Sequence, residues 1–171
     1  MAMPRILKNL NLFNDANSYL GVAKSATPPK LTRKTEKYRG GGMNGPVAVD
    51  LGLGDDGLVF EFSLGGFDLI TVKQYAATSV GAVPLRLTGA YQQDDTGDVH
   101  SVEFVLRGRH EEIDFGEGKP GELGEQKVKM NCSYYKLIVD GEEALEIDVL
   151  NFVERVNGKD MLAEQRKALG I

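Results

Sequence analysis

Residues 125–149 read EQKVKMNCSYYKLIVDGEEALEIDV and contain the longest β-type run of the chain. Asp140-Gly141 interrupts that run with a pair typical of a two-residue hairpin turn, because both residues accept positive φ angles. The segment Glu142–Val149 then alternates, with Leu145 and Ile147 on the same side of the backbone. The stretch therefore predicts an antiparallel β-hairpin.

Alternating runs of the same kind precede this hairpin. PLRLTGAYQ at residues 84–92 and VHSVEFVLRGR at residues 99–109 flank the turn-forming segment Asp94–Asp98, which predicts a second antiparallel pair. LVFEFSL at residues 58–64 alternates again, and residues 6–13 read as a first strand. These patterns predict a mainly β protein with antiparallel pairing.

Two segments have helical patterns instead. In residues 67–77, FDLITVKQYAA, the apolar residues Leu69, Val72 and Ala76 recur at helical spacing and share one face. A helix of this kind most often covers the open face or the end of a sheet. Residues 160–169 predict a C-terminal helix with Asp160 as its N-cap and Gly170 as its stop.

Residues 30–50, KLTRKTEKYRGGGMNGPVAVD, do not fit a compact domain. From Leu31 to Tyr38 neither side of the alternating backbone carries a row of apolar residues, so a strand here has no face to bury. The glycines within residues 40–45 allow a loop tip, and Val47 and Val49 indicate a return strand. The segment predicts a long protruding hairpin arm.

The charge of this arm differs in sign from that of the rest of the chain. Residues 30–39 carry five basic groups and one acidic group, a net +4, and the whole chain carries −5, so the remainder carries −9. A basic ribbon on an acidic body suits docking onto a second copy of the chain. A solvated surface hairpin explains the same charges, because charged runs usually face water. The residues alone leave both interpretations open.

Length and composition predict one domain, residues 1–171. No apolar run long enough to span a bilayer and no signal-peptide pattern occurs, so we expect no membrane anchor and assembly in a host cytoplasm. Cys132 is the only cysteine, which excludes an intrachain disulfide bond. A sequence pI near 5.1 argues against nucleic-acid binding as the main role of the surface.

Two short motifs resemble chemical sites but have the wrong context. GLGDDG at residues 52–57 has the letters of a dinucleotide fingerprint, yet the alternating residues after it predict a strand where the mechanism needs a helix. HEEID at residues 110–114 collects an imidazole and three carboxylates, but neighbouring residues of a strand point to opposite faces. No nucleophile motif or zinc-ligand spacing occurs. We therefore expect no catalytic site, no metal and no cofactor.

Five segments, in order along the chain, resemble the FII family of major tail tube proteins from contractile-tailed bacteriophages. They are AMPRILKNLNLF, SYLGVAKSATPPKLTRKTEKYRGGGMNGPVAVDLGL, YQQDDTGDVHSVEFVLRGRHEEIDFGEGKPGE, SYYKLIVDGEEALEIDVLN and VNGKDMLAEQRKALG. The similarity covers nearly the whole chain and is weakest between Ser63 and Val83. It implies an antiparallel β-sandwich or barrel with a flanking α-helix, a protruding arm and a C-terminal helix.

The resemblance also implies a structural, non-enzymatic role. Subunits would join their inner sheets into a closed hexameric β-barrel ring, and rings would stack into the inner tube of a virion tail. Implied partners are the surrounding sheath protein, a tape-measure protein and a baseplate or initiator complex, and DNA would pass through without specific binding. The arm residues expected to contact another subunit are Leu31, Arg33, Lys34, Lys37, Tyr38, Arg39, Gly40, Gly41, Gly42, Met43 and Asn44.

The negative charge of the chain has a consequence for the lumen of this implied tube. A hexamer of chains at −5 each would carry about −30, and acids that line the lumen would repel DNA phosphates. The candidate lumen-facing acids are Asp94, Asp95, Glu103, Glu111 and Glu112. Alternative functions are the tube of an R-type tailocin, which is a headless bactericidal particle, and a secretion-system-like tube.

Overall fold

A computed structural model describes all 171 residues and contains twelve β-strands and two short α-helices. The strands are β1 (Arg5–Asn14), β2 (Asn17–Ser18), β3 (Ala23–Thr27), β4 (Arg33–Tyr38), β5 (Val47–Leu53), β6 (Leu58–Gly65), β7 (Val83–Gln93), β8 (Val99–Asp114), β9 (Glu125–Val139), β10 (Glu142–Asp148), β11 (Val153–Val156) and β12 (Lys159–Asp160). The helices are α1 (Leu69–Lys73) and α2 (Ala163–Leu169). The prediction of a mainly β, antiparallel protein is confirmed.

Strand β9 is the strand on which the sheet is built, because it pairs with three others. β8 pairs with it along nearly its whole length. On its other side, β6 pairs with the first half, from Gly65 opposite Glu125 to Leu58 opposite Cys132. β10 pairs with the second half and is joined to β9 by the predicted Asp140-Gly141 turn. The sheet therefore branches at β9.

The remaining strands extend the two branches. The main path runs β12-β11-β10-β9-β8-β7-β1-β2, and β3 pairs with the outer side of β6. A single core cluster contains residues of β1, β6 and β7, such as Leu12, Phe60 and Leu85, so the β6 branch folds back over the β1–β7 side. β3 approaches β1 without pairing with it, and the sheet is not closed within the single chain. A closed barrel thus requires further chains.

The first helix is shorter than the predicted 67–77 segment. α1 covers only Leu69–Lys73, with Asp68 as its N-cap, and the backbone at Ala76 has a positive φ of 61° that no α-helix contains. Its β-branched residues lose side-chain freedom in a helix, which weakens any extension. The helix does cover the end of the core, where Thr71 is fully buried.

The second helix begins later than predicted. α2 covers Ala163–Leu169, and its N-cap position is Leu162, which makes no side-chain cap bond. Asp160 lies in β12 and pairs with Arg166, whose guanidinium holds the pKa of that carboxyl below its usual range. The same carboxylate also accepts from the Leu162 backbone N–H at 3.1 Å, so Asp160 makes a capping-type hydrogen bond before α2 as well as the ion pair. Gly170 ends the helix in the left-handed conformation, as predicted.

A polar cluster closes the core beneath α1. Asn14 is fully buried and exchanges two amide hydrogen bonds with Gln74, each 2.8 Å long. His110, on β8, places its Nε2 3.1 Å from the same Gln74 side chain. The His110 Nδ1 atom is buried and has no hydrogen-bond partner. Burial lowers the pKa of His110 to about 4.

A second set of bonds fixes the helix to this cluster. The Tyr19 hydroxyl donates to the Asp68 carboxylate at 2.9 Å, and the same carboxylate accepts from the Thr71 backbone N–H at 2.9 Å. The Asp68 backbone N–H donates to the Gln126 side chain at 2.9 Å. Because buried polar groups are costly unless paired, these bonds determine where the short helix sits.

We expect the His110→Gln variant to remove part of the acid sensitivity of the fold. The unfolded chain binds a proton at His110 near pH 6.5, whereas the folded chain binds it only near pH 4. As the pH is lowered between these values, proton binding to His110 in the unfolded chain lowers the free energy of unfolding of the wild type by up to about 3 kcal/mol. The variant has no imidazole at this position and lacks that loss. Urea unfolding at pH 7, 5.5 and 4 measures it. A wild-type minus variant difference that stays constant with pH would contradict the assignment.

We expect the Gly108→Ala variant to lower the free energy of unfolding by about 1–3 kcal/mol. Gly108 lies at an irregularity of the β8–β9 pairing, and a Cβ there would lie 2.0 Å from the Asn131 carbonyl oxygen, which is backbone and cannot move aside. Gly118→Ala is the matched control, because nothing lies within 4 Å of its Cβ position. Guanidinium unfolding midpoints compare the two variants, and equal midpoints would refute the steric argument.

Candidate assembly surfaces

The predicted arm is a separate two-stranded ribbon outside the main sheet. β4 pairs only with β5, from Arg33 opposite Leu53 to Tyr38 opposite Val47. All residues of β4 and the first five of β5 are exposed. The return strand, predicted from Val47, Val49 and Leu51, runs from Val47 to Leu53 and so extends past residue 50, the predicted end of the arm segment. A two-stranded ribbon that buries neither face has little stability of its own, so the arm depends on its root or on a partner.

Ion pairs anchor the root of the arm. Arg33 binds the Asp50 carboxylate across the ribbon, with Nε 2.9 Å from Oδ2, and its Nη1 binds Glu154 of β11. The Arg33 guanidinium lowers the pKa of Asp50, and the Asp50 carboxylate is the main cause of the raised pKa of Arg33. Lys34 pairs with Asp55 at 3.0 Å. The pair with Glu154 connects the arm to the C-terminal strands.

The tip of the arm carries unpaired positive charge beside exposed apolar side chains. Lys37 and Arg39 lie within 4 Å of no carboxylate, although Arg39 donates to the Met43 carbonyl at 3.3 Å. Tyr38 is 60% exposed and Val47 50% exposed. The other predicted arm residues lie in the segment before β4 or in the tip loop; they are Leu31, Gly40, Gly41, Gly42, Met43 and Asn44.

The main sheet has open strand edges. β7 pairs with one side of β1, but on the other side β2 pairs only with Phe13 and Asn14. The backbone from Arg5 to Asn11 therefore has no strand beside it on that edge, and Ile6 and Leu7 are exposed there. At the opposite edge β12 has only two residues. Open edges offer unpaired backbone groups to another chain.

The five candidate lumen acids do not form one cluster. Asp94 and Asp95 lie in the β7–β8 turn, where Asp94 pairs with Lys8 at 2.8 Å. Glu103 lies in the middle of β8 and pairs with Arg86 of β7. Glu111 and Glu112 lie near the far end of β8 and are exposed, and Glu111 pairs with Lys129. The acids follow β8 from one end to the other.

The two motifs that resemble chemical sites lie in ordinary strand and turn segments. GLGDDG contains the end of β5 and a turn into β6, with no helix after it. In HEEID, His110 points into the core while Glu111 and Glu112 both face solvent, because the β8–β9 pairing is irregular between His110 and Glu112 and interrupts the alternation of side chains. No group of three His, Cys, Asp or Glu side chains is arranged to hold a metal ion. Burial raises the pKa of the Cys132 thiol to about 12.

An exposed aromatic pair that no sequence pattern predicted lies at the α1 end. Phe67, just before α1, and Phe115, just after β8, are stacked with ring centroids 5.7 Å apart. Phe67 is 73% exposed and Phe115 51% exposed. Phe67 follows Gly66 and Phe115 precedes Gly116, and these loop glycines are the only local signal that could have drawn attention to the pair.

No helix of the structure is long and apolar enough to cross a membrane.

Comparisons with known proteins identify the family of the chain. The family model described as phage tail tube protein FII matches residues 4–170. The chain is 56% identical to the tail tube protein of Escherichia phage P2 over 172 aligned residues, covering 100% of both chains. It is 39% identical to the major tail tube protein of Serratia phage KSP20, covering 100% of this chain and 99% of the relative.

A solved structure supports the fold independently. The chain is similar to a chain in the cryo-EM structure of the anti-feeding prophage baseplate, with a TM-score of 0.53 and 10% identity. The match covers 81% of this chain and 97% of the other. At this identity the likeness concerns the fold alone. The full-length sequence matches confirm the resemblance found in the sequence, and the chain belongs to the phage tail tube protein FII family.

Proposed function

We propose that the chain is the structural subunit of the inner tube of a contractile phage tail. The observation that carries this proposal is the full-length 56% identity to a phage tail tube protein, which includes the arm and both sheet edges. The subunits form hexameric rings, and the rings stack into a tube within a sheath, on a baseplate or initiator. The tube lies in the virion tail and conducts DNA during ejection.

The open sheet edges supply a physical reason for ring formation. Within a ring, the free edge of β1 in one copy pairs with the β10–β12 side of the next, so that each copy uses two different edges. Contacts of this head-to-tail kind close into a ring when the rotation between copies divides a full turn. Ring closure also covers edges that would otherwise promote aggregation.

Stacking of rings has no internal stop, so tube length must be set from outside. Each added ring presents the same surface as the ring before it, and such an assembly grows until another component ends it. This is the physical role of a tape-measure protein. The arm, whose faces are exposed and whose tip is basic, is the segment that connects one ring to the next.

The sheet face opposite the core is suited to line the channel. Arg86, Val105, Lys136, Glu146 and Arg155 are direct cross-strand neighbours from β7 to β11. Two cations on this face are matched locally, since Arg86 pairs with Glu103 and Arg155 pairs with Glu146, each at 3.3 Å, whereas Arg107 lies over the Tyr134 ring without a carboxylate partner. Matched cations attract DNA phosphates less strongly than free ones.

The candidate lumen acids fit this channel face in part. Glu103 lies on it, whereas Asp94, Asp95, Glu111 and Glu112 lie near the two ends of β8 and would occupy the rims of the channel. Most of them have a basic partner within the chain, so the channel surface would be weakly rather than strongly negative. A weakly charged surface still allows DNA to slide.

We expect wild-type protein to form rings and stacked tubes in negative-stain electron microscopy, and a variant lacking Thr32–Pro46 to form no stacks. The deletion removes the exposed ribbon and leaves the core strands intact. Far-UV circular dichroism and thermal unfolding establish that the variant is folded. Stacked tubes from the folded variant would refute the role of the arm. Only small particles from the wild type would contradict self-assembly by this chain.

We expect the Arg33→Gln variant to expose the arm of the unassembled chain to faster hydrogen exchange. Arg33 binds Asp50 and Glu154, so its loss frees the ribbon from the C-terminal strands. We expect roughly two- to fivefold faster exchange at β4 and β5 amides, the size of effect that exposed ion pairs produce. Lys34→Gln is the matched control, because its partner Asp55 is 78% exposed. Equal exchange in both variants would show that Arg33 does not position the arm.

A further inference from the structure

The aromatic pair Phe67–Phe115 is part of a larger exposed surface. A backbone hydrogen bond from Gly66 N–H to the Gly124 carbonyl, 3.1 Å long, connects the loop before α1 to the loop between β8 and β9. This bond brings Leu123, which is 98% exposed, to the same end of the sheet as the aromatic rings. We call Phe67, Phe115, Leu123 and the acids of residues 111–125 the α1-end patch. Exposed apolar side chains grouped in this way mark interaction sites.

The α1-end patch is strongly acidic. Residues 111–125 contain one basic residue, Lys119, and six acids, a net charge of −5; the acids are Glu111, Glu112, Asp114, Glu117, Glu122 and Glu125. Only Glu111 and Glu117 have an ion-pair partner, and the pair of Glu117 with Lys119 is long at 3.9 Å. The other four acids have no basic partner within the chain, so the patch is free to pair with a basic partner from outside.

The arm tip has the complementary properties. Lys37 and Arg39 have no carboxylate partner within the chain, and the neighbouring cross-strand pair Tyr38 and Val47 is exposed on the face of the ribbon opposite to Lys37. Basic charge around exposed apolar side chains on the arm therefore matches acidic charge around exposed apolar side chains on the patch. Complementary charge favours one docking partner and one register over others.

Chain topology places the two surfaces at opposite ends of one layer. β3 runs toward Thr27 and leads into the arm, and the chain returns from the arm into β6 at Leu58. β6 then runs to Gly65, next to the patch, and at about 3.3 Å per residue its eight residues separate the two ends by roughly 25 Å. In a head-to-tail stack along this direction, the end of one copy that carries the arm root therefore faces the patch end of the next.

We propose that the α1-end patch is the docking site for the arm tip of a second copy of this chain. Tyr38 and Val47 of the arm pack against the Phe67–Phe115 pair, and Lys37 and Arg39 lie against the acids of residues 111–125. The inference rests on the proposed tube function and identifies the surface that receives the arm. Because the two surfaces differ, the contact repeats from ring to ring in one direction and gives the tube a polarity.

A charge-exchange experiment tests the electrostatic part of this contact. We expect the pair of changes Lys37→Glu and Arg39→Glu to reduce sedimentable tubes by about tenfold or more, and Glu117→Lys with Glu122→Lys to do the same. All four changes together restore tubes to within about threefold of the wild type, because the signs are exchanged. The matched control, Glu164→Lys with Lys167→Glu, alters exposed residues of α2 outside the arm, the α1-end patch and the sheet edges, and leaves tube yield unchanged. Thermal unfolding of each unassembled variant excludes loss of folding.

A crosslinking experiment tests the contact without relying on charge. In a Cys132→Ser background, one protein carries Asn44→Cys at the arm tip and another carries Leu123→Cys in the patch, and both positions are exposed. We expect a short bismaleimide to give a crosslinked dimer in the mixture and not in either protein alone. A dimer in the mixture supports the docking site, whether or not tubes form.

The remaining outcomes separate this inference from the proposed function. The docking site would be overturned if tubes form normally, give no crosslink and tolerate the reversed patch charges. The tube function would then stand, and the patch would be free for a sheath-type protein. Absence of both tubes and crosslinks in the wild-type background would count against both. Loss of tubes in the single-surface variants without recovery in the four-change variant would overturn the direct pairing of these charges.

Discussion

The three-fold pairing of β9 is the constraint on which the rest of the structure depends. β9 pairs with β8 along one side, and its other side pairs with β6 over the first half and with β10 over the second, so the sheet must branch. The β6 branch folds back over β1 and β7 and encloses the core, while the β10 branch continues outward toward α2. The enclosed part provides stability, and the extended part leaves edges that another chain can use.

Buried and exposed polar groups have different roles in this molecule. Beneath α1, Asn14, Gln74 and His110 are removed from water and must satisfy one another, which fixes the helix at the end of the core. On the arm and the α1-end patch, charges of opposite sign stay in water without partners. Unpaired exposed charge contributes little to the stability of one chain, and it is therefore available for contacts between chains.

The strands and the arm were predictable because their signals are local. Alternation marks β7, β8 and β9, and the Asp140-Gly141 pair forms its turn with both φ values positive. The helices were predicted less well. Residues 67–77 contain only a five-residue helix, because the backbone leaves the helical conformation at Ala76, and Asp160 binds Arg166 in addition to the Leu162 backbone N–H before α2. In neither segment did helical periodicity alone give the length of the helix.

The sequence by itself determined the mainly β character, the exposed arm and the family, because periodicity, glycine placement and charge are properties of contiguous residues. Only the tertiary structure decided that β9 pairs with three strands, that His110 is buried while Glu111 faces water, and that Phe67 stacks on Phe115. These features join residues far apart in the chain, and no local pattern specifies which distant partner a strand or a side chain meets. The basic arm was visible as composition, whereas the α1-end patch and its place at the other end of the layer follow from the path of β3 and β6.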